Sequence, residues 1–193
     1  MKFYNSIGPN PRVVRMFMAE KGIDIPREEI DIMAGVNREA DYLKVNVSGQ
    51  CPALELDDGA ILAEITAICE YLEETQPEPA LIGTTAEERA ETRMWVRRVD
   101  LNICEPMGNG FRFSTGIKMF ENRMRCLPEA AAGLKDIAQD RLKWLDGLLE
   151  GNSFIAGDRL TLADILLFGF VDFFAGVDQP IDPELKNINA WHG

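Results

Sequence analysis

SGQCPALELDDGAILAEITAICEYLEE, Ser48 to Glu74, is the stretch whose reading decides the fold. A short apolar strand follows Pro52, the Asp57-Asp58-Gly59 turn reverses the chain, and a second strand, Ala60 to Ala63, leads into Glu64 at the mouth of a helix. In that helix Ile65, Ile68, Cys69 and Leu72 fall at i, i+3, i+4 and i+7, so one face is buried and the first turn faces outward. A helix start carries unpaired N–H groups and a partial positive charge, which suits a carboxylate. Glu64 beside it offers a fixed negative charge for an ammonium. Loop, proline, hairpin, acid and helix start together read as a receptor for a small zwitterion.

Upstream, Met1 to Asn5 reads as a strand and Ser6 to Pro11 as a turn-rich loop. Arg12 to Lys21 carries a helical stripe of Val13, Met16, Phe17 and Ala19, closed by Gly22 just past its end. Asp24 to Ile32 reads as a second strand and Asn37 to Leu43 as a short helix. The resulting order, β-α-β-α-β-β-α, is that of a thioredoxin-like α/β domain over 1–75, a four-stranded mixed sheet with helices on both faces. A proline-bearing linker, 76–84, follows, and after it the strand signals vanish.

The segment 85–193 reads as an all-helical bundle. Thr85-x-x-Glu88 is a capping box ahead of a long amphipathic helix through Met94, Trp95 and Val99 toward a kink at Pro106. Pro128 takes the first position of a helix running through Leu134, Ile137, Leu142, Leu145 and Leu149 to Gly151. Thr161-x-x-Asp164 is a second capping box, with Leu162, Ile165, Leu166 and Phe170 on one face behind it.

Composition narrows the function. A formal charge of −12 over 193 residues repels a phosphate backbone and an anionic lipid surface alike, so no nucleic acid or membrane partner is expected. No run of about eighteen apolar residues spans a bilayer, and MKFYNSIGPNPR lacks an apolar signal segment, the reading of a cytoplasmic protein. Four cysteines, Cys51, Cys69, Cys104 and Cys126, form no C-x-x-C pair and His192 is the sole histidine, so no metal site and no disulfide framework is expected.

Gly49-Gln50-Cys51-Pro52, followed twelve residues later by Glu64 and an A-I-x-x-Y-L helix, resembles the glutathione-binding core of the glutathione transferase family. Phe154 to Ile165, F-I-A-G-D-R-L-T-L-A-D-I, resembles the core signature of that family's helical domain, so the resemblance spans nearly the whole chain. It implies glutathione as co-substrate, a cis bond before Pro52 that turns the Cys51 amide outward, and a homodimer. Relatives usually continue beyond Trp191-His192-Gly193 through the rest of a helix, so either a C-terminal portion is missing or the last helix is short.

The resemblance also assigns the site. Glu64 pairs the ammonium of glutathione, and Cys51 holds its cysteinyl main chain. The start of the helix holds its α-carboxylate, through the Ile65 N–H where most relatives carry Ser or Thr, with Thr66 as the alternative hydroxyl. Asn37, Arg38 and Gln50 face the glycine carboxylate. At the thiol, the Pro9-Asn10 pair is similar to a bacterial class that uses an asparagine amide; Ser6 comes second, Tyr4 third, and Gly8 departs from the serine or threonine of other classes. Asp100, on the helix that lines the family's dimer interface, reaches a neighbour's glutathione. Met107, Phe111, Phe113, Met119 and Phe120 after Pro106 offer an apolar second-substrate pocket or ordinary core packing. Cys51 could form a mixed disulfide with the glutathione thiol if its own pKa were lowered. Three functions compete: transfer of the thiolate to small apolar electrophiles in detoxification, glutathione-dependent disulfide reduction, and a non-catalytic glutathione-binding or scaffold module.

Overall fold

Four short strands, β1 (Lys2–Asn5), β2 (Arg27–Glu29), β3 (Ala53–Glu55) and β4 (Ile61–Ala63), form one sheet in the order β2-β1-β3-β4. β1 and β2 pair in parallel, and β3 runs antiparallel to both β1 and β4. The computed structural model describes all residues, Met1–Gly193, which divide into a first unit, Met1–Leu81, and a second, Ile82–Gly193.

The strand period of two sorts the core of the first unit. Tyr4 and Ala53 take the face that packs on Ile30 and on Tyr42 of α2 (Ala40–Val45). Phe3 and Leu54, on the opposite face, are fully buried, as are Val13, Val14 and Phe17 of α1 (Pro9–Glu20) and Ile68, Cys69 and Leu72 of α3 (Ile65–Thr75). α1 and α3 pack on one another. Each large apolar side chain so buried contributes about 1.5–3 kcal/mol.

Three boundaries differ from the sequence expectation. α1 begins at Pro9, within the expected loop, because Pro9 and Pro11 lie in the first turn, where a missing N–H costs no intrahelical bond. β2 is three residues rather than nine, an exposed edge strand cut short by Pro26. The expected helix from Asn37 is a single 3-10 turn, Val36–Arg38, followed by α2 from Ala40. Gly22 does close α1: at φ 64 it sits beyond Lys21, and the Ile23 N–H reaches back to the Met18 carbonyl.

The end of α1 is tied to α3 by a buried ion pair. Lys21 Nζ lies 2.7 Å from Glu73 Oε2, with side-chain exposures of 0 % and 1 %. The same ammonium donates to the Pro79 carbonyl at 2.7 Å, and Glu73 Oε2 accepts from the Leu81 N–H at 3.3 Å.

The second unit is helical: α4 (Ala86–Val99), α5 (Glu105–Arg112), α6 (Ile117–Phe120), α7 (Ala131–Leu148), α8 (Leu162–Ala175) and α9 (Lys186–His192). α4 packs on α8 and α5 on α7. At the expected kink the chain passes from α4 to α5 through one π-helical stretch, Asp100–Cys104, just ahead of Pro106. In a regular α-helix the Pro106 ring would meet the Asn102 carbonyl; the wider turn, with Glu105 N–H bonding to Asp100 O, gives it room.

Both capping boxes form. Glu88 accepts from the Thr84 and Thr85 main chain and from the Thr84 hydroxyl, which holds its carboxyl down at about 2. Its support for the start of α4 is therefore present above the ordinary carboxylate range and fades as pH falls toward that value. Asp164 is buried and takes four donors: Ile155 N–H, Thr161 N–H, the Thr161 hydroxyl and the Trp191 indole. No helix is long and apolar enough to cross a membrane.

Candidate active site

Strand direction gathers most of the expected residues. Tyr4 lies opposite Ala53, and Ala53 opposite Ala63. Asn5, which follows Tyr4, Pro52, which precedes Ala53, and Glu64, which follows Ala63, therefore emerge at one end of the sheet. β2 ends there too and leads through Ile30 to Asn37 and Arg38. The end at which parallel strands finish is where α/β sheets commonly hold ligands.

The Cys51–Pro52 peptide bond is cis. Neither the N–H nor the C=O of Cys51 has a hydrogen-bonding partner in the protein, although its neighbours on both sides are paired. Main chain of this kind can accept an extended peptide as an added strand would.

α3 starts beside it with no side-chain cap, leaving the N–H groups of its first turn open. Glu64 is exposed and sits at φ 72, a region that non-glycine residues rarely adopt and that costs about 1–3 kcal/mol. Such strain concentrates at ligand sites. The Thr66 hydroxyl, half-buried in the same turn, has no partner in the protein.

At the start of α1 the cap position is Gly8, with no side-chain cap bond, so Asn10 does not cap the helix. Asn10 is the second helical residue, half-buried, and its amide has no partner in the protein. Because Pro9 and Pro11 lack an N–H, Asn10 supplies the one open main-chain donor among the first three residues of α1. Gly8 itself sits at φ 105 and ψ 171, where any residue with a Cβ is strained; a serine or threonine cannot take that position cheaply.

The competing hydroxyls are already engaged. Ser6, 4 % exposed, donates to the Ile30 carbonyl at 2.6 Å, fixing the end of β1 to the end of β2. Tyr4 donates to Glu55 at 2.7 Å and packs edge-on against Tyr42, a core role.

Asn37 is buried and its Nδ2 donates to the Gly49 carbonyl at 2.6 Å; exposed Arg38 donates to the Ser48 carbonyl at 3.2 Å. Both thus brace the loop before Cys51, and they press on Gly49 so closely that a Cβ there would meet Arg38 Nη1 at 2.8 Å and Asn37 O at 2.9 Å. Gln50 keeps an exposed side chain. The Cys51 thiol lies 3.1 Å from the Tyr42 hydroxyl, and burial pushes its pKa up, with that hydrogen bond only partly opposing. The lowered pKa on which a mixed disulfide depended is not met.

In the second unit, Met107 is fully buried and Phe113 is 9 % exposed, the burial of ordinary core residues. Half-buried Phe111 packs on Phe120 and Phe174. Asp100 opens the π-helical stretch and is half-buried. Two residues that shape the loop, Tyr42 and Asn46, lie outside the set expected from sequence; Asn46, a turn-former just before Ser48-Gly49, carried the only local signal.

Comparison with known proteins places the family. Residues 7–75 match the glutathione S-transferase N-terminal domain and residues 128–193 the C-terminal domain. Glutathione S-transferase 2 of Saccharomyces cerevisiae is 30% identical over 192 residues, covering 96% of this chain and 80% of the yeast protein. A glutathione S-transferase domain-containing protein of Marinobacter aquaeolei superposes with a TM-score of 0.92 at 34% identity, covering 100% of this chain and 95% of the other. Gtt2 of Saccharomyces cerevisiae superposes with a TM-score of 0.93 at 30% identity, over 100% and 94% of the two chains. The chain belongs to the glutathione S-transferase family.

Proposed function

We propose that this chain is a glutathione transferase that binds glutathione at the sheet end of its first unit and passes the thiolate to small apolar electrophiles. The observation that carries the reading is the Cys51 main chain, open at N–H and C=O, between two helix starts that no side chain caps. The cysteinyl residue of glutathione pairs with Cys51. Its ammonium meets Glu64, and its α-carboxylate takes the first N–H groups of α3 with the Thr66 hydroxyl. Its glycine carboxylate faces Arg38 and Gln50.

The thiol then lies toward α1. A thiolate there is stabilised by the Asn10 side-chain amide, by the open main-chain N–H of Asn10, and by the positive end of the helix. The thiolate attacks the electrophilic carbon, the new C–S bond takes its electron pair from sulfur, and the leaving group departs with the pair of the broken bond. Ile7, 60 % exposed next to Gly8, supplies apolar surface beside the thiol, which favours an apolar acceptor. Cytoplasmic operation as a homodimer completes the proposal, with exposed Met94 and Leu101 on the α4 side of the second unit available to a second copy.

Asn10→Ala is expected to raise the pKa of the bound thiol by about one to two units, the worth of one hydrogen bond to a charged acceptor, with glutathione affinity near wild type. The ultraviolet absorbance of bound thiolate against pH measures it. An unchanged titration overturns the role of Asn10.

Disulfide reduction is the second reading, favoured by the engagement of both Ser6 and Tyr4 hydroxyls, which leaves an amide rather than a hydroxyl at the thiol. Turnover of a chloronitrobenzene with glutathione supports transfer; reduction of hydroxyethyl disulfide without that turnover supports the second. Glutathione binding with neither leaves a non-catalytic module.

A further inference from the structure

The loop that presents Cys51 is held by a regular set of contacts. The carbonyls of Ser48, Gly49 and Gln50 each accept a hydrogen bond from a side chain of residues 37–46: Arg38 at 3.2 Å, Asn37 at 2.6 Å, and for Gln50 both Tyr42 Oη at 2.8 Å and Asn46 Nδ2 at 2.9 Å. The Cys51 carbonyl is the first in the run with no such donor.

The doubled contact on Gln50 carries information that the others do not. A carbonyl oxygen has two lone pairs, and here both are taken. The Gln50–Cys51 peptide is trans, so its C=O and the Cys51 N–H lie in one plane and point in opposite directions. Fixing the oxygen from two sides therefore fixes the direction of the N–H.

Both donors are themselves immobile. Tyr42 is 4 % exposed with its ring edge-on to Tyr4 at 6.0 Å, so the core sets the place of its hydroxyl. Asn46 commits Oδ1 to the Ser48 N–H at 3.0 Å and the Ser48 hydroxyl at 2.8 Å, which turns Nδ2 toward Gln50. A phenylalanine at 42 would fill the same space, so the hydroxyl is what the loop uses.

We propose that Tyr42 and Asn46 are positioning residues that, by saturating the Gln50 carbonyl, aim the Cys51 N–H at the bound peptide. This rests on the glutathione reading above and names what sets the geometry of its central contact.

Tyr42→Phe keeps the ring and removes one donor. Asn46→Asp keeps the Oδ1 contacts to Ser48 and replaces the other donor with an oxygen that repels Gln50 O. Calorimetric titration with glutathione and steady-state kinetics against each substrate separate the roles. Tyr42→Phe is expected to raise Kd and KM for glutathione about three- to tenfold, the worth of one hydrogen bond. Asn46→Asp raises them further, and in both variants KM for the chloronitrobenzene and kcat at saturating glutathione move far less. Variants that bind glutathione as tightly as wild type and only melt earlier overturn the proposal, as does a fall in kcat at unchanged KM. Wild type that fails to bind glutathione overturns the underlying reading as well. If Tyr42→Phe does not fold, Asn46→Asp carries the same test.

Discussion

Glu73→Ala is expected to lower the unfolding free energy of the first unit by about 3–5 kcal/mol, because it strands a fully buried ammonium. Lys21 Nζ would retain only the Pro79 carbonyl and a position 5.6 Å from the Phe17 ring centroid. Coulombic attraction within the pair need not exceed its desolvation cost for this to hold; removal of one partner is what costs. Lys21→Met combined with Glu73→Leu is therefore expected to recover much of the loss, though not all, since the Pro79 carbonyl and the Leu81 N–H lose their partners. All three tyrosines lie in the first unit and all three tryptophans in the second, so near-ultraviolet circular dichroism during urea unfolding follows each unit by its own chromophore. A loss under about 1 kcal/mol in Glu73→Ala would contradict the assignment of a buried, structurally required pair.

Asp164→Ala is expected to cost the second unit about 3–5 kcal/mol, because four donors lose one acceptor. Oδ1 takes the Ile155 N–H at 2.8 Å and the Trp191 indole at 3.0 Å, while Oδ2 takes the Thr161 N–H at 3.0 Å and its hydroxyl at 2.9 Å. The carboxylate thus caps α8 and ties the 154–157 turn and α9 to its start. Asp164→Asn keeps one acceptor and points an NH2 at donors, so it recovers only part of the loss. Tryptophan fluorescence in urea measures both variants, and a Trp191 signal that is unchanged in the native state would contradict the indole contact.

These two clusters show what a sequence displays and what it hides. The Thr161-x-x-Asp164 box was legible because both partners lie within one turn, and the Asp57-Asp58-Gly59 hairpin because Gly59 is needed at φ 85. The Lys21–Glu73 pair was not, since 52 residues separate two charges that each look like surface residues on their own helices. Pro9 and Pro11 read as a loop because proline is a breaker in the interior and a neighbour-tolerant residue in the first turn; only the fold decides which. The π-helical stretch shifts the helix by one residue, too little to disturb an apolar stripe that a reader counts by eye.

The site was legible where its chemistry is local. Gly49 to Pro52 and Glu64 stand out by type and spacing, and the sheet register brings them to one end. Asn37 and Arg38 were expected to face a ligand; both also brace the loop, a role in which side chain meets main chain and leaves no residue pattern to read. Tyr42 and Asn46 escaped notice for the same reason. Ser6, Tyr4, Met107 and Phe113 were chemically suitable types whose polar atoms or apolar surface the fold had already taken up.

A crystal structure with glutathione bound measures the central contact most directly. The expected result is the cysteinyl main chain of glutathione paired with the N–H and C=O of Cys51, its ammonium within hydrogen-bonding distance of Glu64, and its sulfur beside Asn10. Glutathione seated elsewhere, or a Glu64 carboxylate turned away from the ammonium, would contradict it.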